Sequence, residues 1–309
     1  MRNRLSGSMF RVGAALVVAC AVAVVWLVER PTAQAQGGAT ARNRQPYRAP
    51  RTPDKKPDLN GIWQALTTAG WDLQDHAAKM GPVVQMGALG AVPGGLGVVE
   101  GGEIPYQPWA AKKQKETAAN WLTLDPVVKC YMPGVPRATY MPFPFQIVQT
   151  PGHVLFAYEF ASASRTVYIN GKDESPAETW MGWSNGRWEG DTLVINVSSF
   201  NDQTWFDSAG NFHSEALRVE ERYTPTSPDH LMYEATIEDP KVFTRPWKIR
   251  LPLYRRIEQQ AQLLEFKCVE FVEELMYGHL RKNPLPGPAM ERAKREAEER
   301  AAEEKELGE

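Results

Sequence analysis

The segment from Trp180 to Glu215 constrains the fold most, because it consists of short extended stretches separated by tight turns. Gly190-Asp191 forms a two-residue loop between two apolar-rich stretches, which is a typical sequence signature of a β-hairpin. After this loop, Leu193, Ile195 and Val197 point one way along a predicted strand and Thr192, Asn196 and Ser198 the other way. Val194 interrupts this alternation, so both faces of the strand are expected to be partly covered. The segment therefore indicates a β-rich chain built from closely spaced hairpins.

The same pattern extends along most of the chain, beginning with a strand at Asp58–Trp63. Pro151-Gly152, Asn170-Gly171 and Ser227-Pro228-Asp229 are turn residues between the later strands, and they favour antiparallel meanders over β-α-β units. Asn185-Gly186 is a further short-loop dipeptide of the hairpin type. The later strands are predicted at Phe145–Gln149, His153–Phe160, Arg165–Ile169, Thr179–Ser184, Arg187–Glu189, Thr192–Ser198, His213–Tyr223, His230–Glu238, Trp247–Tyr254 and Ala261–Val269.

Helices contribute little to this prediction. Trp109–Leu122 lacks Gly and Pro and is the first helix expected after the N-terminal segment. Gly81–Gly102 is a long glycine-rich insertion, which is uncommon in a compact domain and is often a lid or binding loop. A lid and a poorly ordered insertion are both retained as interpretations. The prediction is a mainly β protein: an antiparallel barrel with short helices and this insertion.

The N-terminus has the pattern of an export signal. Arginines precede an uncharged apolar run from Val12 to Val28, and Ala33-Gln34-Ala35 follows as a small-residue cleavage site. The apolar run is short of the roughly 20 residues that span a bilayer. Residues 1–35 are therefore predicted to be a signal peptide or an N-terminal anchor, and the protein to be periplasmic or secreted, with an inner-membrane tether as the alternative.

The remaining boundaries follow from composition. Residues 36–57 are basic and proline-rich and are predicted to be a linker, residues 58–283 the barrel domain, and residues 284–309 a charged tail without an apolar stripe. The formal net charge of −2 gives no basic face for nucleic acid. Without Cys20, which lies in the signal region, Cys130 and Cys268 remain. In an oxidising compartment such a pair is most simply a disulfide, and two buried thiols are the alternative.

The segments Trp180–Glu215 and Thr236–Trp247 resemble an uncharacterised secreted bacterial family with a lipocalin-like (calycin) barrel. This resemblance implies a fold and a compartment but no activity, cofactor or site residue. It is carried by Cys130 with Pro133-Gly134-Val135-Pro136-Arg137, Gly186-Arg187-Trp188-Glu189-Gly190-Asp191-Thr192-Leu193, Phe200-Asn201-Asp202, Thr204-Trp205, His213-Ser214-Glu215, Glu221-Arg222-Tyr223, and the stretch from Glu238-Asp239-Pro240 to Pro246-Trp247.

The five histidines form no metal-binding motif, so no metal site is predicted. His213 and Glu215 are two residues apart on a predicted strand and would share one face. With Asp207 nearby, they form a candidate acid–base group. The competing interpretation is that they bond to loop backbone at a barrel rim.

Aromatic and arginine side chains suggest a binding site instead. The chain has ten tryptophans, and an aromatic cavity with few polar groups suits a small apolar or amphipathic ligand. The candidate ligand-binding residues are Trp63, Trp183, Trp205, Arg137 and Arg165. In a lipocalin barrel the tryptophan of a Gly-x-Trp triplet, here Gly61-Ile62-Trp63, plugs one end.

Three functions therefore remain open. The first is an exported protein that binds a small lipophilic or amphipathic molecule. The second is a barrel enzyme in which His213 and Glu215 exchange protons with a substrate. The third is a membrane-tethered accessory subunit, held through Val12–Val28 and associated with partner subunits. The sequence indicates no particular cofactor.

Overall fold

The computed structural model describes residues 47–81 and 91–266, and within these ranges nine strands close into one barrel. The mainly β fold is therefore confirmed. Helices α1 (Pro108–Ala119), α2 (Trp121–Leu124) and α3 (Arg137–Tyr140) all lie between the first two strands. The strands are β1 (Gly61–Ala65), β2 (Phe145–Gln149), β3 (His153–Tyr158), β4 (Ser164–Ile169), β5 (Trp183–Glu189), β6 (Thr192–Ser198), β7 (Arg218–Ser227), β8 (His230–Glu238) and β9 (Trp247–Arg255).

The barrel is mixed, which corrects the prediction of a purely antiparallel sheet. β4 and β5 run parallel, with Val167 opposite Ser184 and Ile169 opposite Gly186, whereas the other neighbouring strands are antiparallel. The reason is the connection 170–182, which returns along the length of the barrel before β5 begins. Asn170-Gly171 therefore starts a crossover and not a hairpin.

The two ends of the barrel differ in their connections. Tight turns join β2 to β3, β5 to β6 and β7 to β8 at one end, which we call the hairpin end. The long connections 66–144, 199–217 and 239–246 emerge at the opposite end, which we call the loop end. Functional side chains are most often carried by loops held on a rigid scaffold, so both ends are candidate locations for a site.

Strand boundaries follow the prediction where alternation and turns are clear, as in β2, β6 and β8. Two predicted strands around Asn185-Gly186 are in fact one continuous strand, β5. Gly186 lies inside that strand, and the position requires glycine because a Cβ there would approach the Cγ1 of Val167 to 2.6 Å. The glycine provides space for a packed neighbour and does not form a turn.

Two further strand predictions are wrong. β7 begins at Arg218, so His213 and Glu215 lie in the preceding loop and do not share a strand face. Residues 261–266 form no strand, and the rest of the predicted strand Ala261–Val269 lies outside the described residues. Cys268, the Val12–Val28 run and the 284–309 tail also lie outside them, so the pairing of Cys130 with Cys268 stays a prediction.

The described part of the glycine-rich insertion is joined to the barrel. Residues 82–90 lie outside the described ranges. Beyond them, Glu100 N donates to Lys248 O at 2.9 Å and Arg250 N donates to Val98 O at 2.9 Å. These bonds place the end of the insertion along β9, beside the part of that strand that the short β1 does not reach.

Residues 47–60 pack against the hairpin end, so the packed chain extends back into the predicted linker. The side chain of Gln149, at the end of β2, accepts from Leu59 N at 2.5 Å and donates to Pro57 O at 3.0 Å. Arg51 forms an ion pair with Asp191 of the β5–β6 turn at 2.7 Å. These contacts attach the segment to two of the turns that define the hairpin end.

The barrel interior is filled largely by aromatic and aliphatic side chains. On β7 the buried positions alternate through Val219, Glu221 and Tyr223, as the period of a strand requires. The ring of Phe156 packs 5.3 Å from that of Tyr223, measured between centroids, which joins β3 to β7 across the interior. The core thus contains contacts between strands that are not neighbours in the sheet.

Candidate functional site

Helix α3 is buried throughout and lies over the loop end of the barrel interior. The hydroxyl of Tyr140 donates to Phe206 O at 2.8 Å, and the hydroxyl of Thr139 lies 3.2 Å from that of Tyr223 inside the barrel. The helix is therefore bonded both to the 199–217 connection and to a strand. It forms a plug, which we call the α3 plug.

Arg137, a candidate ligand-binding residue, anchors this plug. Its guanidinium binds both carboxylate oxygens of Asp125 at 2.7 and 2.8 Å and donates to the Ser208 hydroxyl at 3.0 Å. Burial acts to lower the pKa of Arg137, but the charge and hydrogen bonds of Asp125, with smaller contributions from Asp207 and Tyr140, together raise it. Arg137 therefore holds the α3 plug in position through its ion pair with the buried Asp125 carboxylate.

A second buried ion pair crosses the barrel interior beneath the α3 plug. Arg165 of β4 donates to Glu221 of β7 at 2.6 Å and to the Tyr158 hydroxyl at 3.1 Å. Glu221 also accepts from the hydroxyls of Tyr223 at 3.0 Å and Tyr233 at 2.8 Å. We call these five residues the inner network.

Burial and neighbouring charges shift the pKa values of Arg165 and of the tyrosines in the inner network. Burial acts to lower the pKa of Arg165, but the charge and hydrogen bond of Glu221 together with Tyr158 and Tyr223 raise it well above its ordinary value. Burial raises the pKa of Tyr223, and the Glu221 charge adds to that shift. The tyrosines therefore remain hydroxyl donors to a carboxylate. Because this pair spans the interior, the barrel is closed by side chains at this level.

Asp207, a candidate catalytic residue, is buried at the loop end. Its carboxylate accepts from Leu73 N at 2.9 Å and from the backbone and side chain of Asn211 at 3.2 and 2.6 Å. Burial raises its pKa to about 7, although the Asn211 side chain acts in the opposite direction. A carboxyl with that pKa exchanges protons near neutral pH. Its hydrogen-bond partners, Leu73 and Asn211, however, are structural groups of the surrounding loops.

His213 and Glu215 point to different environments. The buried ring of His213 lies 2.6 Å from the Thr204 hydroxyl and 2.8 Å from Ser214 O, and burial lowers its pKa. Glu215 is exposed and pairs with Lys241. Neither is hydrogen-bonded to Asp207. The three residues therefore do not form the convergent acid–base group that the sequence suggested.

The three candidate tryptophans lie in separate places. Trp205 is buried in the 199–217 connection. Trp183 lies on the outer face of β5, stacked on Tyr168 with 4.9 Å between ring centroids. Trp63 is buried on β1, and its indole nitrogen donates to Leu59 O at 2.9 Å. Only Trp63 among the predicted site residues borders the cavity described next.

That cavity lies at the hairpin end and has a volume of about 240 Å³. Its walls come from the 47–60 segment, β1, the β7–β8 turn and the end of β9. The lining residues are Tyr47, Ala49, Pro50, Asp58, Asn60, Trp63, Pro225, Ser227, Pro228, Leu231 and Arg255. The wall thus combines two aromatic rings and several apolar side chains with one basic and one acidic group.

Arg255 is held firmly in this wall. Its guanidinium lies 4.2 Å from the centroid of the Trp63 ring, close enough for a cation–π interaction. It donates to Asn60 O at 2.6 Å and to Pro228 O at 3.1 Å. A Cβ at Gly61 would lie 2.2 Å from Arg255 Nη1, so glycine is required for this approach.

Two charged residues were not predicted from the sequence: Glu221 in the barrel interior and Arg255 in the wall of the hairpin-end cavity. Glu221 has a recognisable signal, because it shares the alternation of Val219 and Tyr223 and therefore faces inward. Arg255 gives no such signal, because its partners Asn60 and Trp63 lie far away in the sequence. Asn60 is 195 residues from Arg255.

No family model, curated protein or solved structure matches this chain. Within residues 47–81 and 91–266, none of the helices has the length and apolar character needed to cross a bilayer. In the same ranges, no group of three or more His, Cys, Asp or Glu side chains is placed to hold a metal ion.

Proposed function

We propose that this protein binds a small amphipathic molecule in the cavity at the hairpin end. The observation that carries the proposal is the cavity itself, which places Trp63, Tyr47 and Leu231 beside Asp58 and Arg255. Ligand sites are typically concave, largely apolar and supplied with a few placed polar groups. This cavity has that composition.

The size of the cavity limits the ligand. Sites for drug-sized molecules occupy roughly 300–1,000 Å³, and this cavity, at about 240 Å³, is smaller. The inner network crosses the middle of the barrel, so the central interior is a poorer location for a ligand than the sequence had suggested. We therefore assign the ligand to the hairpin end.

We also propose that the fold is lipocalin-like and that the protein is exported. The position of Trp63 supports the fold, because this tryptophan of Gly61-Ile62-Trp63 is buried inside the barrel near one end. The parallel β4–β5 pair departs from a simple meander. The charged, apolar and small-residue pattern of residues 1–35 supports export.

A cavity-filling variant tests the binding proposal. Ala49 is buried in the cavity wall, and Ala49→Phe places a ring in the space. The matched control is Ala119→Phe at the exposed end of α1. Both variants and the native full chain are screened against small amphipathic molecules by thermal shift and calorimetry.

Specific ligands are expected to stabilise the native chain and the Ala119→Phe control but not Ala49→Phe. Ligands that stabilise Ala49→Phe as strongly as the native chain would locate binding elsewhere and contradict the proposal. Circular dichroism of Ala49→Phe, compared with the native spectrum, establishes that a loss of binding does not reflect unfolding.

A further inference from the structure

The cavity at the hairpin end contains two opposite charges that internal contacts only partly satisfy. Arg255 uses Nη1 for Asn60 O and Nε for Pro228 O. Its Nε also lies 3.7 Å from the Asp229 carboxylate. Among the described residues its Nη2 makes no hydrogen bond, and the side chain is 25% exposed. One edge of the fork therefore remains available to an anionic group.

Asp58, which carries the opposite charge, is also only partly hydrogen-bonded. Its Oδ1 accepts from the backbone and side-chain nitrogens of Asn60 at 2.9 and 2.8 Å. No described residue donates to its Oδ2, and the residue is half-buried. The turn through Asn60 fixes the direction of the carboxylate, and the second oxygen is available to a cationic group.

A pair of opposite charges in one small cavity selects for a ligand with both charges. A ligand with only a carboxylate would leave Asp58 Oδ2 without a partner, and a ligand with only an ammonium group would leave Arg255 Nη2 without one. Both situations are costly, because desolvated charges need partners. A zwitterion meets both charges at once.

We infer that the ligand is a small amino-acid-like zwitterion, with its carboxylate on Arg255, its ammonium group on Asp58 and an apolar side chain against Ala49, Pro225 and Leu231. This inference rests on the proposed function, since it assigns the chemistry of a ligand in the same cavity. The volume of about 240 Å³ suits a single amino acid better than a peptide.

Four related probes test the inference by calorimetry with the full chain. L-leucine carries both charges, N-acetyl-L-leucine only the carboxylate, L-leucinamide only the ammonium group, and N-acetyl-L-leucinamide neither. Hydrogen bonds to charged groups are strong enough that losing one weakens binding by about tenfold or more. L-leucine is therefore expected to bind at least about tenfold more tightly than each of the other three.

The variant Asp58→Asn tests whether Asp58 is the residue of the cavity wall that binds the ammonium group of the ligand. This variant keeps the bonds to Asn60 but loses the charge, so it is expected to bind L-leucine and N-acetyl-L-leucine with similar affinity. It should still prefer L-leucine over L-leucinamide, because Arg255 is unchanged. The control Asp54→Asn removes a neighbouring carboxylate that does not line the cavity and should keep both preferences.

Equal binding of L-leucine and N-acetyl-L-leucine to the native chain would overturn the inference, as would an unchanged preference in Asp58→Asn. If none of the four probes binds while other molecules bind in a manner abolished by Ala49→Phe, the zwitterion inference fails and the proposed function stands. If nothing binds in that manner, both fail.

Discussion

At the scale of single residues, the Asp207 carboxyl has an environment that differs strongly from water. It has no access to solvent, and its hydrogen bonds come from neutral groups of two loops. Such donors stabilise the carboxylate less than water does, and burial therefore raises its pKa to about 7. The protonation state of this one residue changes near neutral pH.

Replacing Asp207 by Asn is predicted to remove a pH dependence of stability. The carboxyl titrates at 3.8 when unperturbed and at about 7 in the folded protein. Its stabilising contribution is therefore fully present below the lower value and is lost as the pH rises through the higher one. We expect the free energy of unfolding to fall by up to roughly 4 kcal/mol across this window in the native chain but not in Asp207→Asn.

Urea unfolding at several pH values between 4 and 8 measures this difference. Asp202→Asn is the matched control, because Asp202 is exposed in the same connection, and it should retain the pH dependence of the native chain. An Asp207→Asn variant with the native pH profile would show that another group is responsible.

Glu221→Gln is predicted to be strongly destabilising. The substitution leaves the Arg165 guanidinium buried without its counter-charge, which typically costs about 3–5 kcal/mol. Glu220→Gln provides the control, because Glu220 is the preceding residue on β7 and its ion pair with Arg187 lies at the surface. That change should cost much less, as exposed pairs contribute little. Equal losses in urea unfolding would contradict the account.

At the scale of elements, β5 shows how an inward-facing glycine permits the mixed barrel. A Cβ on Gly186 would lie 2.6 Å from Val167 Cγ1 and 3.1 Å from Ile169 Cδ1, both on the parallel neighbour β4. The close packing of these two strands therefore depends on the missing side chain. The connection 170–182 supplies the strand direction, and Gly186 supplies the space.

Gly186→Ala is accordingly predicted to destabilise the protein by about 1–3 kcal/mol through overpacking. Gly152→Ala in the β2–β3 turn is the control, because no other group lies within 4 Å of the added Cβ. Thermal and urea unfolding of both variants give the comparison. A Gly186→Ala variant as stable as Gly152→Ala would mean that β4 and β5 are not packed as described.

At the scale of the whole molecule, the sequence predicted the strands that are determined by residues close together in the chain. β6 and β8 were predicted at their observed boundaries because extended, apolar-rich residues bounded by short turns mark them. The parallel β5 was not predicted, since its direction depends on a long crossover with no distinctive sequence. Asn185-Gly186 was misinterpreted as a turn because the packing demand that requires Gly186 comes from β4.

The candidate site was harder to predict for the same reason. Trp63 was identified from its triplet, but its partner Arg255 is brought beside it only when β9 closes the barrel against β1. The pairing of Arg165 with Glu221 likewise joins strands that are not adjacent in the sheet. The proximity of His213 and Glu215 in sequence was misleading, because the chain turns between them and separates a buried ring from an exposed carboxylate.

A crystal structure of the full chain with its tightest-binding ligand would locate the binding site. We expect electron density for the ligand at the hairpin end, against Trp63 and within hydrogen-bonding distance of Asp58 and Arg255. Density beneath the α3 plug, in place of the inner network, or on the outer face of the barrel with the hairpin-end cavity empty, would contradict this expectation.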